Sequence, residues 1–393
     1  MLPTIRLFSN RSCLLRRFLC SSGQSLTSDN QKIDQQTASP PSPPPPPSYP
    51  EKAIVGTFQP IPRDVYERLF SVNGFEPFSS DLFEVLDDKS IMVRQPYLQI
   101  LDYIERTDFN RPVNRYVIWG RHGAGKTFTL NHLALWGYLN GYCLVHFTSP
   151  KDWIDEPAEI EVSESRPGRL DFPLNAALAL KHFKNQNSAI LAKSNLTVSK
   201  KYIWSMREST EKGEPLVNVI DHGLSRMKHA SDCYAVLLKE LKIAANSGQL
   251  RLMVLVNDVN IFYGKPKVKH PDGQVASVED LTLVRALMKF FKTDWKNGLV
   301  ITSTYVKQTD WQNRLTPYYP KSLLGDRGWE EFDPFIPIKV DNYSDMEADS
   351  CLDYYTDRQF IQRPQAKTPE GRYEIKIINA RNPFEMYKFC SSL

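Results

Sequence analysis

The sequence contains six cysteines among 393 residues, and no two of them form a C-x-x-C pair. Such pairs mark most structural zinc sites and thiol exchange motifs, so neither kind of site is expected. A disulfide framework of the kind found in small secreted domains is also not indicated. We expect buried free thiols at these positions, which are Cys13, Cys20, Cys143, Cys233, Cys351 and Cys390.

Long apolar runs are also missing from the chain. The hydrophobic fraction of 41% and the charged fraction of 24% are ordinary for a soluble protein. The apolar runs fall far short of the roughly 20 residues that a membrane-spanning helix needs. We therefore expect no transmembrane helix and no membrane partner, and a length sufficient for one large α/β domain with appendages or for two modest domains.

Acidic residues are absent before Asp29, whereas residues 1–28 contain four arginines, several serines and interleaved apolar residues. This composition is typical of a mitochondrial transit peptide, and a basic tail without a targeting role is the alternative. Residues 29–53 include a run of prolines that favours an extended, disordered linker. We predict a presequence over residues 1–28, a linker over residues 29–53, and a location in the mitochondrial matrix.

Without the predicted presequence, the chain has no excess of positive or negative charge. The 49 basic residues less those four arginines leave 45, against 45 acidic residues. A neutral protein gains little from counterion release on a nucleic acid backbone, so we expect any contact with RNA to be limited and to rest on local basic segments. One candidate is the loop with Lys265, Lys267, Lys269 and His270, and a plain exposed loop is the alternative.

Apolar periodicity divides the remaining chain into three regions. Residues 54–110 form an N-terminal extension with a helix at 96–105. Residues 111–340 alternate strands with helices and carry a helical insertion at about 148–231, and residues 341–393 form a C-terminal helical region with Ser344 as an N-cap. Strands are predicted at 116–119, 142–147, 252–256, 299–302 and 335–340, and helices at 126–139, 230–245 and 278–294. This alternation predicts an α/β fold, a parallel sheet covered by helices on both faces.

Residues 120–127, GRHGAGKT, match the phosphate-loop pattern G-x-x-x-x-G-K-[ST] between a predicted strand and a predicted helix. The glycines allow positive φ and a close approach of backbone N–H groups to phosphate oxygens. Lys126 supplies a positive charge, Thr127 offers a hydroxyl to Mg²⁺, and the helix directs its positive end at the anion. The predicted nucleotide-binding residues are Gly120, Arg121, His122, Gly123, Ala124, Gly125, Lys126, Thr127 and Phe128.

The acid that accompanies such a loop is expected after a buried strand, and residues 252–256 lead into Asn257 and Asp258. If Asp258 serves Mg²⁺, Val259 follows it and the catalytic glutamate of many ATPases is missing. If Asn257 takes the metal position, Asp258 takes the catalytic position and the metal has lost a charged partner. Either register lacks one acid, so hydrolysis should be slow.

We favour Thr127 as a direct Mg²⁺ ligand. We favour Asp258 as a water-mediated metal partner and as the candidate catalytic residue. The alternative for Asp258 is that it caps the next turn. Thr302, Ser303 and Thr304 end the following strand, where hydroxyls either sense the γ-phosphate or satisfy backbone groups. No N-K-x-D segment occurs in the sequence. The identity of the base therefore does not follow from these residues.

The segment KYIWSMRESTEKGEPL, residues 201–216, resembles the signature of the death-associated protein 3 family. Further matching segments lie at residues 236–242, 293–295, 324–325 and 333–338. The resemblance extends from about residue 54 to the C-terminus and is far more specific than a phosphate loop. The chain departs from this resemblance at Asn257, a position where the resemblance implies an acid.

The resemblance implies a P-loop NTPase (AAA-like) core that carries GTP or GDP with Mg²⁺. It also implies a place on the head of the mitochondrial small ribosomal subunit, next to large-subunit bridge proteins, and a family role in apoptosis. We therefore expect a ribosomal constituent that uses the nucleotide as a structural ligand. The alternative function is a free mitochondrial P-loop ATPase of the AAA type, which normally needs both acids.

Overall fold

The computed structural model describes residues 53–72, 77–306 and 318–393. The predicted presequence over residues 1–28, and all but the last residue of the predicted linker over residues 29–53, lie outside them. No helix in the described ranges combines the length and apolarity needed to cross a membrane.

The strands of the described residues are short and mostly buried. They are β1 (Phe58–Pro60), β2 (Ser90–Met92), β3 (Asn114–Trp119), β4 (Cys143–Phe147), β5 (Glu161–Val162), β6 (Leu170–Asp171), β7 (Tyr202–Ile203), β8 (Ser209–Thr210), β9 (Leu252–Val256), β10 (Gly298–Ser303) and β11 (Ile336–Lys339). Five of them form a parallel sheet in the order β11-β3-β10-β9-β4. The predicted parallel sheet is thus confirmed.

The helices of the described residues surround this sheet. They are α1 (Arg63–Phe70), α2 (Pro77–Val85), α3 (Gln95–Glu105), α4 (Lys126–Leu139), α5 (Lys151–Ile154), α6 (Pro173–Gln186), α7 (Ser188–Lys193), α8 (Leu216–Ser225), α9 (Ala230–Asn246), α10 (Thr282–Met288), α11 (Pro320–Phe332), α12 (Asp345–Asp357), α13 (Pro364–Lys367), α14 (Pro369–Ile378) and α15 (Pro383–Cys390). Short 3₁₀ turns lie at Met227–His229, Val259–Tyr263, Val278–Asp280 and Lys289–Phe291.

Three hydrophobic clusters fill the space between these elements. One face of the sheet packs against α6, α8, α9 and α10. The other face packs against α1, α3 and α4. A third cluster joins the C-terminal helices to Leu86 and Met92 of the N-terminal extension. Because β3, β4, β9 and β10 are covered on both faces, their sequences are continuous apolar runs rather than alternating ones.

Most predicted elements are confirmed to within two residues, and two predictions need correction. The predicted single helix at 278–294 is a 3₁₀ turn, a short helix α10 and a second 3₁₀ turn, because Leu281 is extended (ψ 108°) and pairs with Leu170. The insertion at about 148–231 is not purely helical, since it contains the β5–β6 and β7–β8 hairpins. The domain boundaries remain predictions. Cys143, Cys233, Cys351 and Cys390 are free and buried, as predicted for them.

Candidate nucleotide-binding site

The phosphate loop connects β3 to α4 and takes the backbone conformation that its glycines predict. Gly120, Gly123 and Gly125 have φ of 154°, 73° and 100°. A side chain at Gly120 would put its Cβ 2.1 Å from the carbonyl oxygen of Val340. The loop is therefore a closely packed glycine turn, whose N–H groups can approach an anion.

Lys126 and Thr127 begin α4, and no side chain caps this end of the helix. The first N–H groups of a helix and its dipole together favour an anion at such an end. The Lys126 Nζ atom donates hydrogen bonds to the carbonyl oxygens of Gly120 (3.1 Å) and Arg121 (2.9 Å). Its side chain thus folds back over the loop and holds its positive charge within it.

A polar network links the loop to β9 and β10. The Thr127 hydroxyl donates to Asn257 Oδ1 at 3.3 Å, and the Ser303 hydroxyl donates to the same oxygen at 2.5 Å. Asn257 Nδ2 donates to the carbonyl oxygen of Thr148 at 3.2 Å. Asn257 is fully buried. These contacts fix the amide with its acceptor oxygen toward Thr127, as an aspartate would present one of its oxygens.

Asp258 lies beside this network in a left-handed conformation, with φ 50° and ψ 41°. Its backbone N–H donates to the Ser303 hydroxyl at 3.0 Å, and its side chain lines the cavity next to Lys126 and Thr127. Of the two residues at this position, Asn257 contacts the Thr127 hydroxyl and Asp258 lies at the cavity. The roles of Asp258 as catalytic residue and metal partner remain predictions.

The three hydroxyls at the end of β10 do not share one role. Thr302 and Thr304 donate to the carbonyl oxygens of Tyr116 (3.2 Å) and Ile118 (3.3 Å), both in β3. They satisfy backbone groups, which is one of the two roles considered for them. The Ser303 hydroxyl, by contrast, is hydrogen-bonded to Asn257 and Asp258, which belong to the site.

Arg94, in the N-terminal extension, braces the loop from outside the motif. Its Nη1 donates to the carbonyl oxygen of Ala124 at 2.6 Å, and its Nη2 donates to that of Asp341 at 2.9 Å. Its Nε pairs with Glu347 Oε1 at 3.1 Å, and both side chains are buried. A buried guanidinium with these partners fixes the loop against the C-terminal region.

Asn382, the N-cap of α15, holds the loop from the C-terminal side. Its Nδ2 donates to the carbonyl oxygen of His122 at 2.8 Å, while its Oδ1 accepts from the N–H groups of Phe384 and Glu385. The Phe384 N–H also donates to the carbonyl oxygen of Gly123 at 3.2 Å. Sequence reasoning missed Arg94 and Asn382, because nothing in their local sequence indicates contact with the loop.

A cavity of about 270 Å³ opens beside Lys126, Thr127 and Asp258. Part of its wall is aromatic and comes from both ends of the described chain, where the rings of Phe58 and Tyr354 stack at 3.9 Å. Its other aromatic side chains are Phe83, Phe128, Tyr305, Tyr343, Tyr355, Phe384 and Tyr387. A mostly apolar cavity with a polar end suits a planar base joined to phosphates. The N-terminal extension and the C-terminal helices therefore complete the site.

Electrostatics also favour an anionic ligand here. Burial, with the positive charge of Lys126 as the next cause, lowers the pKa of the His122 imidazole below its ordinary value. Burial is thus the main cause of this shift, and the nearby Lys126 ammonium adds to it. The glycine turn, Lys126 and the Thr127 hydroxyl together fit a nucleotide phosphate chain with Mg²⁺.

Comparison with known proteins identifies the family. The family described as mitochondrial ribosomal death-associated protein 3 matches residues 91–389. Small ribosomal subunit protein mS29 of Bos taurus is 35% identical over 321 residues, which cover 82% of this chain and 80% of that protein. The Mus musculus protein of the same name is 35% identical over 321 residues, covering 82% of this chain and 81% of the relative.

Among solved structures, the crystal structure of Cdc6p from Pyrobaculum aerophilum aligns with 84% of this chain and 64% of that chain. Its TM-score is 0.33 and its sequence identity is 11%. The matches in sequence, by contrast, extend over the phosphate loop, the Asn257 region and the C-terminal helices. The chain belongs to the mitochondrial ribosomal death-associated protein 3 family.

Proposed function

We propose that the chain is a constituent of the small subunit of the mitochondrial ribosome, and that it holds a guanine nucleotide as a structural ligand in the matrix. The observation that carries the ribosomal role is the 35% identity with small ribosomal subunit protein mS29 over 82% of the chain. The matched region contains both the phosphate loop and the C-terminal helices that close over it.

The nucleotide part of the proposal rests on the loop. Lys126 and the N–H groups of the glycine turn would hold the phosphates of GTP or GDP, and Thr127 would ligate Mg²⁺, with Asp258 reaching it through water. The metal, when bound, would neutralise phosphate charge. The aromatic cavity formed with Phe58 and Tyr354 would take the base.

Slow hydrolysis is supported by the amide beside Thr127. Asn257 presents an oxygen where a carboxylate would serve the metal, but it carries no charge. Acceleration of phosphoryl transfer depends mainly on positioning and on charge stabilisation, so the loss of one charged element is costly. Asp258 remains the candidate catalytic residue, without a second acid next to it in sequence.

The contacts of the loop support a structural role for the ligand. Arg94 and Asn382 tie the loop to Glu347 and α15, so a nucleotide between them would join the sheet to the C-terminal helices. A ligand that binds the folded state but not the unfolded chain stabilises the fold by RT ln(1 + [L]/Kd). A nucleotide used in this way does not need to turn over.

The resemblance to the family supports finer proposals about partners. The proposed partners are proteins of the small-subunit head and bridge proteins of the large subunit, with limited rRNA contact. The family resemblance also supports a role in apoptosis as a proposal. A free mitochondrial ATPase of the AAA type is the alternative function. The neutral Asn257 counts against it, because such motors normally use two acids.

Sedimentation of a mitochondrial lysate separates these functions. The proposal predicts that the chain co-migrates with the small ribosomal subunit and that GTP raises its melting temperature more than ATP does. A free oligomer that is stabilised by ATP in preference to GTP would instead favour the ATPase. Lys126→Ala is the matched variant for the thermal measurement, since it should remove the effect of either nucleotide.

A further inference from the structure

A cluster of basic residues lies on the side of the sheet that α6, α8, α9 and α10 cover, and none of its members lines the nucleotide cavity. We call it the basic face. Its six members come from the loop before β6, the segment before β7, helix α9, helix α10 and the turn after it. They are Arg166, Arg169, Lys200, Lys239, Arg285 and Lys289.

Two contacts and one helical spacing bring most of these residues together. The bridge between Leu170 and Leu281 sets the neighbouring Arg169 beside the start of α10. Arg285 and Lys289 are four residues apart and therefore lie one turn apart on the same side of that helical segment. Helices α9 and α10 pack against each other, and Lys239 projects from α9 as an exposed residue.

The positive charges of this face are only partly balanced by the carboxylates of Asp171, Asp232 and Glu240. Arg166 lies 3.7 Å from a carboxylate oxygen of Asp232. In the part of the chain that the structure describes, no carboxylate oxygen lies within 4 Å of the charged nitrogens of Arg169, Lys239, Arg285 or Lys289. After burial, repulsion from Arg166 and Arg285 is the largest cause that lowers the pKa of Lys289. Like charges are therefore close enough to destabilise one another.

Tyr202 adds an aromatic ring at one edge of the face. The Nζ atoms of Lys200 and Lys239 lie 5.2 and 6.0 Å from the centre of this ring. The hydroxyl of Tyr202 is bonded to the buried carboxylate of Glu240, which fixes the ring in place. Two ammonium groups thus lie near one immobilised ring, and both lysines are exposed.

The basic loop predicted from sequence is better neutralised than this face. Lys267 Nζ lies 3.3 Å from an Asp155 oxygen, and His270 Nε2 lies 3.1 Å from an Asp280 oxygen. Its net positive charge is therefore smaller than its sequence suggests, although Lys265 and Lys269 are exposed. The stronger local charge of the described residues lies on elements that sequence reasoning did not single out.

We infer that the basic face binds the sugar–phosphate backbone of RNA. The inference rests on the proposed ribosomal function and specifies which surface makes the limited rRNA contact. Cations spread over five chain segments match phosphates repeated along a strand, whereas a small anion would meet one or two of them. Arginine forks bind phosphate in bidentate fashion, and lysines add point charges.

The first test is binding of a fluorescent RNA hairpin of about 20 base pairs to the full chain at several salt concentrations. The variant replaces Arg169, Lys239, Arg285 and Lys289 by Gln, which removes four charges. Each lost phosphate contact should reduce the slope of log K against log [salt] by about 0.7 to 0.9, so the slope should fall by about 3. The residues that line the nucleotide cavity are unchanged in this variant, so its melting temperature in GTP should stay close to that of the wild type.

The matched control replaces Lys265, Lys267 and Lys269 by Gln and should change the slope by less than the basic-face variant does. An equal slope in wild type and basic-face variant, or a larger effect of the control, would overturn the inference. So would displacement of the RNA by an equimolar poly-glutamate peptide, because that result would indicate an acidic protein segment as the partner. If the four substitutions disturb folding, the Lys200→Gln, Lys239→Gln pair gives the same test with an expected slope change of about 1.5.

A second test separates this inference from the proposed function. Small subunits containing wild-type chain or the basic-face variant are washed with increasing salt and sedimented. Release of the variant at lower salt than the wild type supports the inference. If both chains co-sediment and are released at the same salt concentration, the result would contradict RNA binding by the basic face. It would leave the ribosomal role intact. A wild-type chain that never co-sediments would contradict the ribosomal role itself.

Discussion

Asn257 Oδ1 lies 3.3 Å from the hydroxyl oxygen of Thr127, and the same oxygen accepts a hydrogen bond from Ser303. The other end of the amide donates to the carbonyl oxygen of Thr148 at 3.2 Å. Asparagine therefore matches the shape of an aspartate toward the predicted metal site and also satisfies a carbonyl that an aspartate could not. This arrangement explains why the site can keep its form without its second acid.

Asn257→Asp should tighten Mg²⁺-dependent nucleotide binding, because it places a negative charge beside the Thr127 hydroxyl. The new carboxylate oxygen would face the Thr148 carbonyl, so without ligand the variant should lose about 1–3 kcal/mol of stability. Nucleotide affinity measured with and without Mg²⁺, together with unfolding in urea, checks both effects.

Asn260→Asp is the matched control for that change. Asn260 also donates from Nδ2 to a carbonyl, that of Tyr305 at 3.0 Å, whereas the Thr127 hydroxyl is bonded to Asn257. The control should lose stability without gaining Mg²⁺ dependence. Equal Mg²⁺ dependence in the two variants would show that Asn257 has no special relation to the metal.

Asn382→Asp should weaken nucleotide binding while α15 stays capped. Aspartate caps a helix as well as asparagine does, but it cannot donate to the His122 carbonyl oxygen and it adds negative charge beside the loop. We expect an affinity loss of about fivefold or more, from a repulsion of about 1 kcal/mol or larger. Asn379→Asp, at a residue whose Nδ2 donates to Ile375 of its own helix, should leave affinity near that of the wild type.

Gly123→Ala should lower the free energy of unfolding more than Gly168→Ala does, although both glycines have positive φ. Its Cβ would lie 2.5 Å from Asn382 Oδ1 and 2.7 Å from Phe384 Cβ, and its φ is 73°. Gly168 has φ 81° and no atom within 4 Å of a built Cβ. Both variants have the strain of positive φ, so the difference, about 1–3 kcal/mol, isolates the packing of the loop on α15. Equal urea midpoints for the two would contradict that packing.

Stability should fall as the pH drops below about 6.5, the ordinary pKa of histidine. His132 is buried against Tyr97 and hydrogen-bonded to Gln59, and burial lowers its pKa to about 3. The unfolded chain then binds a proton that the folded chain excludes, so stability is complete above pH 6.5 and is lost toward pH 3. The loss is about 1.4 kcal/mol per pH unit for each such group.

His132→Gln should make this pH dependence shallower by about 1.4 kcal/mol per unit between pH 6 and pH 4. Burial also lowers the pKa of His182 to about 4, so His182→Gln should have a similar effect down to that pH. Urea unfolding at several pH values provides the comparison. An unchanged slope in both variants would mean that these imidazoles already carry protons in the folded state.

The strands and the phosphate loop were predictable because their signals are local. Continuous apolar runs indicated strands buried on both faces, and G-x-x-x-x-G-K-[ST] gave the start of α4 at Lys126. The contacts that complete the site are not local. Asn382 meets His122 across 260 residues of sequence, and Leu281 leaves the predicted helix because it pairs with Leu170. Neither pairing has a spacing or composition that marks it.

The central claim, a guanine nucleotide held without a working cycle, is tested most directly by single-turnover hydrolysis. Labelled GTP is loaded on the purified chain and on isolated small subunits that contain it, and the bound label is followed as GTP or GDP. We predict that the guanine nucleotide is retained, that its retention depends on Lys126, and that hydrolysis is far slower than about 1 per second. Hydrolysis at about 1 per second or faster, or no retained guanine nucleotide, would contradict it.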